Sequence, residues 1–215
     1  MRDRRRKLFE VALRAVHAGA YVLYWPSRLR FSLRRHPSRK LQVGSGGSSI
    51  PGWINADVDP RADLIVLIEK KLPFKSDALD RIYLEHVLEH ATYEAGCGFL
   101  REALRVLAPG GVIRIAVPDL EDLARGYLHD DWRERFDWVK WPQFQFIESR
   151  AQMLNIAFRW WGHAHLYDRQ ELTRLLTDAG FREFEFVERG HSRHEDLIGL
   201  ETRQDSTLVV EATKL

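Results

Sequence analysis

The chain holds a single cysteine, Cys97, which excludes an internal disulfide framework and a cysteine-built zinc site. That scarcity reads as a reducing, cytoplasmic compartment. No apolar run reaches the roughly 20 uninterrupted residues that a spanning helix wants. The dinucleotide fingerprint G-x-G-x-x-G is incomplete as well, because Ser49 stands where its third glycine belongs, so a nicotinamide or flavin reading loses a contact. No small-residue cleavage site follows the apolar stretch near residue 25, which argues against a signal peptide. Low-complexity segments and internal repeats are also missing. What remains is a chain of 215 residues, 45% of them hydrophobic, enough for one full core with an appendage.

Charge is unevenly spread. Residues 1–40 carry twelve Lys and Arg against Asp3 and Glu10, a net charge of +10, whereas the whole chain carries +2 and the remainder therefore −8. An acidic body with a basic, partly apolar arm suggests a tether rather than a uniform nucleic-acid surface. Within the arm, Lys7, Glu10, Arg14, His17 and Tyr21 recur at spacings of three and four, and nearly everything between Leu8 and Trp25 is apolar. On a helix this is one thin polar stripe on an apolar cylinder, which Pro26 is expected to end. Tyr21, Tyr24 and Trp25 then stand beside Arg28, Arg30, Arg34 and Arg35, a combination suited to the headgroup layer of an anionic membrane. The competing expectation is that the helix packs on its own domain or on a partner chain. The arm is assigned to residues 1–38 and the folded domain to 39–215.

From residue 40 the pattern alternates between strand and helix, as in a parallel sheet covered on both faces. Strands are expected near 40–43, 53–56, 64–67, 81–84 and 112–117, with a closing pair near 184–188 and 208–212. Helices are expected at 93–107 and 169–179, the second bounded by an Asp168/Glu171 capping box and a Gly180 stop. An insert at about 119–167, rich in Trp and Phe, follows the fifth strand at the carboxyl edge of the sheet. Open α/β folds bind ligands at that edge, so the insert is either an acceptor lid or the core of a small helical cap.

The first strand breaks into Gly44-Ser45-Gly46-Gly47, and Asp57 and Asp59 follow about a dozen residues later. A glycine turn lets backbone N–H groups approach a ligand, and a carboxylate at the next strand end can accept both hydroxyls of a ribose. Further on come Leu72-Pro73-Phe74, Glu85-His86-Val87-Leu88-Glu89-His90, Leu107-Ala108-Pro109-Gly110-Gly111, Val117-Pro118-Asp119 and Trp161-Gly162-His163-Ala164-His165. In this order the set resembles the class I S-adenosylmethionine (SAM) dependent methyltransferases, over roughly residues 40 to 215. The resemblance implies a Rossmann-like, seven-stranded, mostly parallel α/β sheet of order 3-2-1-4-5-7-6, with helices on both faces.

It further implies that Gly44, Ser45, Gly46 and Gly47 line the methionine part of SAM. Asp57 would take the ribose hydroxyls, with Asp59 as the alternative, Leu72 would flank the adenine, and Glu85 and His86 would face the methyl-bearing sulfur. Two departures stand out. The segment between the glycine turn and Asp57 is about eight residues short, so the helix that usually starts there is absent or a single turn. Leu67 also occupies the place where relatives often carry an aspartate for the adenine amino group.

Methyl transfer needs alignment and, for a hydroxyl or amine, removal of a proton, for which histidine is suited. His86 is the first candidate and His163 and His165 are the next, with Asp119 placed to orient a histidine or the acceptor. His86 to His90 also spells H-x-x-E-H, the inverted zinc-protease motif, but it directly follows a strand and lacks an evident third ligand helix, so no metal is expected. The reading is a cytoplasmic enzyme, peripheral to a membrane through residues 1–38, that methylates an O or N atom of a small-molecule, glycan or lipid-linked acceptor. A SAM-binding scaffold without turnover is the alternative. A nucleic-acid methyltransferase is disfavoured by the acidic body, and no nucleic-acid partner is expected.

Overall fold

The computed structural model describes residues 2–32 and 38–215, without the side chains of 2–10, 12–14, 17 and 32. The stripe residues Lys7, Glu10, Arg14 and His17 and the arginines Arg34 and Arg35 thus fall outside the described side chains. Helix α1 (Arg2–Ser32) precedes seven strands: β1 (Lys40–Val43), β2 (Ile54–Asp57), β3 (Leu64–Ile65), β4 (Leu79–Glu85), β5 (Leu107–Val117), β6 (Glu183–Val187) and β7 (Leu208–Thr213). They form one sheet of order β3-β2-β1-β4-β5-β7-β6. All pairings are parallel up to β5, and β7 then runs antiparallel to both β5 and β6. This is the Rossmann-like arrangement expected from the sequence.

The central strands read as near-continuous apolar runs because helices cover both faces. Val43, Ile82, Leu84, Ile113 and Ile115 are fully buried or nearly so. Helix α2 (Tyr93–Val106) buries Phe99, Leu100 and Ala103 in the same core and is capped by Thr92, whose side chain accepts from the Ala95 amide. The last helix of the domain, α6 (Arg169–Ala179), has the expected ends. Asp168 accepts from the Glu171 amide at 2.7 Å, and Gly180 closes it at φ +109°. Between Gly44 and Trp53 no helix forms, in keeping with the shortened segment.

Pro26 does not end α1. The helix continues to Ser32, at a cost of about 3 kcal/mol for a lost backbone bond and a ring clash. Tertiary docking on both sides of the proline offsets it. Ala20 and Tyr24 pack on Ile65 and Leu67, and Phe31 enters the main core edge-on to Phe74. The Ser27 hydroxyl accepts from the Ile65 amide at 2.9 Å, which satisfies a donor on the edge strand β3. Arg28 donates to the Lys71 carbonyl at 2.7 Å. The carboxyl half of the arm therefore packs on its own domain.

The insert builds a second core. Helices α3 (Leu120–His129), α4 (Trp132–Arg135) and α5 (Arg150–Arg159) surround Trp132, Phe136, Trp138, Phe144 and Met153. The helical-cap expectation holds for these aromatics, while Trp141 and Phe158 remain exposed.

Opposite the insert, the connection between β6 and β7 is tied down by two ionic groups, one buried and one half-buried. Arg114 on β5 is fully buried and pairs with Glu201 at 2.6 Å and with Glu211, its register partner on β7, at 2.5 Å. Glu85, at the end of β4, accepts from the Thr202 amide and hydroxyl, the Arg203 amide and the Ser206 hydroxyl, at 2.6 to 3.1 Å. Burial alone would raise the Glu85 pKa, but these donors outweigh it and hold the carboxyl below its ordinary 4.5. Its contribution to stability is therefore fully present above about pH 4.5 and fades as the pH falls through the lower folded value. Replacing Glu85 by Gln should cost about 1–3 kcal/mol at pH 7, measured by urea unfolding, and the gap to the wild type should narrow below pH 4.5. A gap unchanged between pH 7 and pH 3 would show that the carboxylate charge contributes nothing.

Candidate active site

The carboxyl ends of β1, β2 and β4 meet at the glycine turn. Gly44 (φ +76°) passes so close to Val87 that a Cβ there would lie 2.1 Å from Val87 Cγ2. Only glycine fits. The amides of Gly44 and Ser45 both donate to the Ala56 carbonyl, at 2.8 and 3.1 Å, which locks the turn onto β2. Gly46 (φ +51°) and Gly47 face open space, with no protein atom within 4 Å of where a Cβ would stand.

Asp57 ends β2 beside this turn. Its Oδ2 accepts from the Gly46 amide at 2.7 Å and its Oδ1 from the Asp59 amide at 2.9 Å. Those two bonds aim the carboxylate and leave lone pairs for two further hydroxyl donors. An open glycine surface next to a fixed carboxylate fits the nucleoside half of SAM. Asp59 is committed elsewhere. It pairs with Arg61 at 2.5 Å, which brings its pKa down to about 2.

Leu72 is buried in the main core and donates its amide to Glu102. Leu67 is buried against Ala20 and Tyr24 of α1. Glu85 spends its oxygens on the β6–β7 connection. The structure thus places Gly44–Gly47 and Asp57 together at one site and puts Asp59, Leu72 and Glu85 to structural uses.

His86 follows β4 in the left-handed region, at φ +52°. For a residue with a Cβ this costs about 1–3 kcal/mol, held here by the amide bond to the Ala116 carbonyl at 3.0 Å. The distortion turns the imidazole between two carboxylates. Nδ1 lies 3.1 Å from Glu89 Oε1, and Nε2 lies 3.5 Å from Asp205 Oδ1. Val87 and Leu88 pack inward, and a 3-10 turn at Leu88–His90 then buries Glu89 completely and sends His90 outward.

Beyond His86 lies a cavity of about 770 Å³. Its floor is His86 and His90. One wall is the insert, with Phe136, Trp138, Trp141 and Trp161, and the other is the connection from Thr202 to Thr207. Asp119, Asp122, Asp137 and Asp205 supply carboxylates, and Arg135 and Arg203 supply the cations. Asp119 caps α3 through the Glu121 amide at 2.8 Å. Burial, reinforced by Glu121 and Asp122, pushes its pKa up despite that hydrogen bond.

The two histidines of the Trp-Gly-His-Ala-His segment part company. His163 enters the cavity, stacked on Trp161 and edge-on to His90. Desolvation within the cavity lowers the pKa of both His90 and His163, against the pull of Glu89. His165 turns to the start of α6 and bonds Glu171 at 2.9 Å. Among the predicted residues, His86, His163 and Asp119 share the cavity and His165 does not. Reading the sequence did not place Asp122, Arg135, Arg203 or Asp205 at the site. No local pattern marks them, because they arrive from the insert and from a connection more than 80 residues after β5.

A family model described as a methyltransferase domain matches residues 34–184. Among solved structures, a SAM-dependent methyltransferase of Thermotoga maritima, described as a possible histamine N-methyltransferase, superposes with a TM-score of 0.51 at 19% identity, covering 98% of each chain. At that identity the likeness speaks for the fold. A methyltransferase of Haloferax volcanii, solved with its Trm112 activator, aligns at a TM-score of 0.47 and 17% identity, over 96% of each chain. PigF, solved with SAH, aligns at a TM-score of 0.48 and 17% identity, over 81% of this chain and 50% of that one. A search of the curated proteins finds no match. With a family match spanning most of the folded domain and the matching strand order, the chain belongs to the methyltransferase-domain family, as a class I enzyme that depends on SAM.

Proposed function

We propose that this enzyme methylates an O or N atom of a small, polyhydroxylated acceptor, either a glycan or a lipid-linked precursor. The observation that carries this reading is the cavity beside His86, where indole faces stand next to carboxylates. Aromatic faces pack on the apolar side of a sugar ring, and carboxylates accept from its hydroxyls.

When bound, SAM supplies an electrophilic methyl on a sulfonium, and its transfer leaves S-adenosylhomocysteine. The chain's residues supply position and a proton acceptor. Gly46 and Gly47 leave room for the ligand against the turn, and Asp57 orients the ribose. Trp138 and Trp161 set the acceptor against the cavity wall. His86, at the cavity floor, would take the proton that the acceptor's hydroxyl or amine loses. Alignment supplies most of the acceleration, and a positioned base adds about 10²–10⁴-fold.

The exposed face of α1 supports a second element of the proposal, contact with an anionic membrane that holds the lipid-linked acceptor. Val11, Ala18, Val22 and Trp25 recur at helical spacing on its exposed side, beyond the surface that docks on β3. Among the described residues no helix is long and apolar enough to cross a membrane. Surface contact is what this pattern suits.

Three outcomes are expected. S-adenosylhomocysteine at 100-fold its dissociation constant should stabilise the protein by about 2.7 kcal/mol, a Tm rise of roughly 5–10 °C, and Asp57→Ala should abolish the shift. No shift at millimolar ligand would contradict the cofactor site. In a screen of glycan and lipid-linked acceptors with methyl-labelled SAM, the acceptor that is labelled should lose about 10²–10⁴-fold in kcat with His86→Asn, and an unchanged kcat would remove His86 as proton acceptor. Sedimentation with phosphatidylglycerol vesicles should exceed that with phosphatidylcholine vesicles and fall with Trp25→Glu, whereas equal recovery from both would argue against the membrane.

A further inference from the structure

Glu89 has no adequate partner. Its side chain is fully buried, yet neither oxygen accepts a well-formed hydrogen bond among the described residues. Among the described residues its one ion-pair neighbour is His86, at 3.1 Å and off the hydrogen-bond line, and no Lys or Arg reaches it. A buried carboxylate left in this state is costly unless a cation completes it. Two imidazoles stand beside it at the cavity floor. One ligating atom from each of Glu89, His90 and His163 lies within 4.8 Å of the other two.

The imidazoles are also oriented for a cation. His163 Nδ1 lies 2.7 Å from the Ala157 carbonyl, which can only accept, so Nδ1 carries the proton and Nε2 keeps its lone pair. The His90 ring is held against the Gly162 backbone. The carbonyl of Glu89 accepts from the amides of Ala164 and His165 at 2.8 and 3.1 Å, which fixes the loop that delivers His163 relative to the turn that delivers Glu89 and His90. Backbone hydrogen bonds thus set the spacing of the three donors.

The geometry points to a divalent-metal site formed by Glu89, His90 and His163, with its open coordination positions facing the acceptor cavity. Two imidazoles and one carboxylate are the donor set of open zinc sites, with bonds of about 2.0–2.2 Å. Closing on an ion takes a side-chain adjustment of about 1 Å from the present spacing. The borderline character of this set favours zinc over manganese and both over magnesium. The H-x-x-E-H spacing misleads about the ligands. His86 is not among the three clustered donors, and the third comes from the exit of the insert, more than 70 residues later. A cation here would hold an oxygen of the acceptor against His86. That role rests on the methyl-transfer reading, whereas the site itself does not.

Calorimetric titration of the untagged full chain with Zn²⁺ and Mn²⁺ separates the two. One equivalent of Zn²⁺ should bind, more tightly than Mn²⁺ and without competition from millimolar Mg²⁺. His163→Ala and the isosteric Glu89→Gln should each weaken it at least about 10-fold while retaining the wild-type circular dichroism. Asp57→Ala should bind Zn²⁺ normally even where it fails to bind S-adenosylhomocysteine, so failure of the cofactor site is seen apart from failure of the metal site. No stoichiometric Zn²⁺ binding, or binding unchanged in folded His163→Ala, would overturn the proposal.

Discussion

The carboxylate of Glu85 decides where the site can exist. It terminates β4 in the middle of the sheet and gathers four donor groups from Thr202, Arg203 and Ser206, residues of the connection that must return the chain to β7. That connection forms one wall of the cavity and brings Asp205 to His86. Buried Arg114 anchors the same stretch from the neighbouring strand through Glu201. The wall is thus held by charge-assisted hydrogen bonds, which are stronger and more directional than apolar packing. With the wall fixed, the residue after Glu85 can be kept in a strained backbone conformation, and His86 is presented at the meeting point of two compartments.

The compartments divide the chemistry. On one side, β1 and β2 offer an open glycine surface and an aimed carboxylate at Asp57. On the other, the insert and the β6–β7 connection enclose a mixed aromatic and acidic space. Val87 explains why they adjoin without merging, since its side chain fills the volume that Gly44 leaves vacant. One six-residue segment, Glu85 to His90, therefore pins the wall, spaces the glycine turn, buries Leu88 in the core and directs His86 and His90 to the cavity.

The fold was legible because its signals are local. The capping box of Asp168 and Glu171 and the Gly180 stop mark α6, and apolar runs broken by glycine and proline mark the strands. Family motifs then supplied the strand order. Pro26 was misleading for a reason that local pattern cannot show. Tyr24, Ser27 and Phe31 dock on β3 and the core across the proline, and that burial outweighs the helix penalty. Half of the site was equally hidden. Glu85 reads as a ligand residue until its donors, 117 to 121 residues away, are seen. The difference between His163 and His165 depends on which one meets Glu171. The meeting of Asp57 with the glycine turn was legible because it follows from backbone geometry encoded within a few residues.

The central claim is that the cofactor lies over the glycine turn and presents its reactive sulfur to the cavity at His86. A crystal structure of the chain with S-adenosylhomocysteine tests it most directly. The account predicts ribose hydroxyls on Asp57, the ligand passing over Gly46 and Gly47, and the sulfur at the His86 end of the cavity. A ligand seated among the insert's tryptophans instead, with the glycine turn bare, would contradict it.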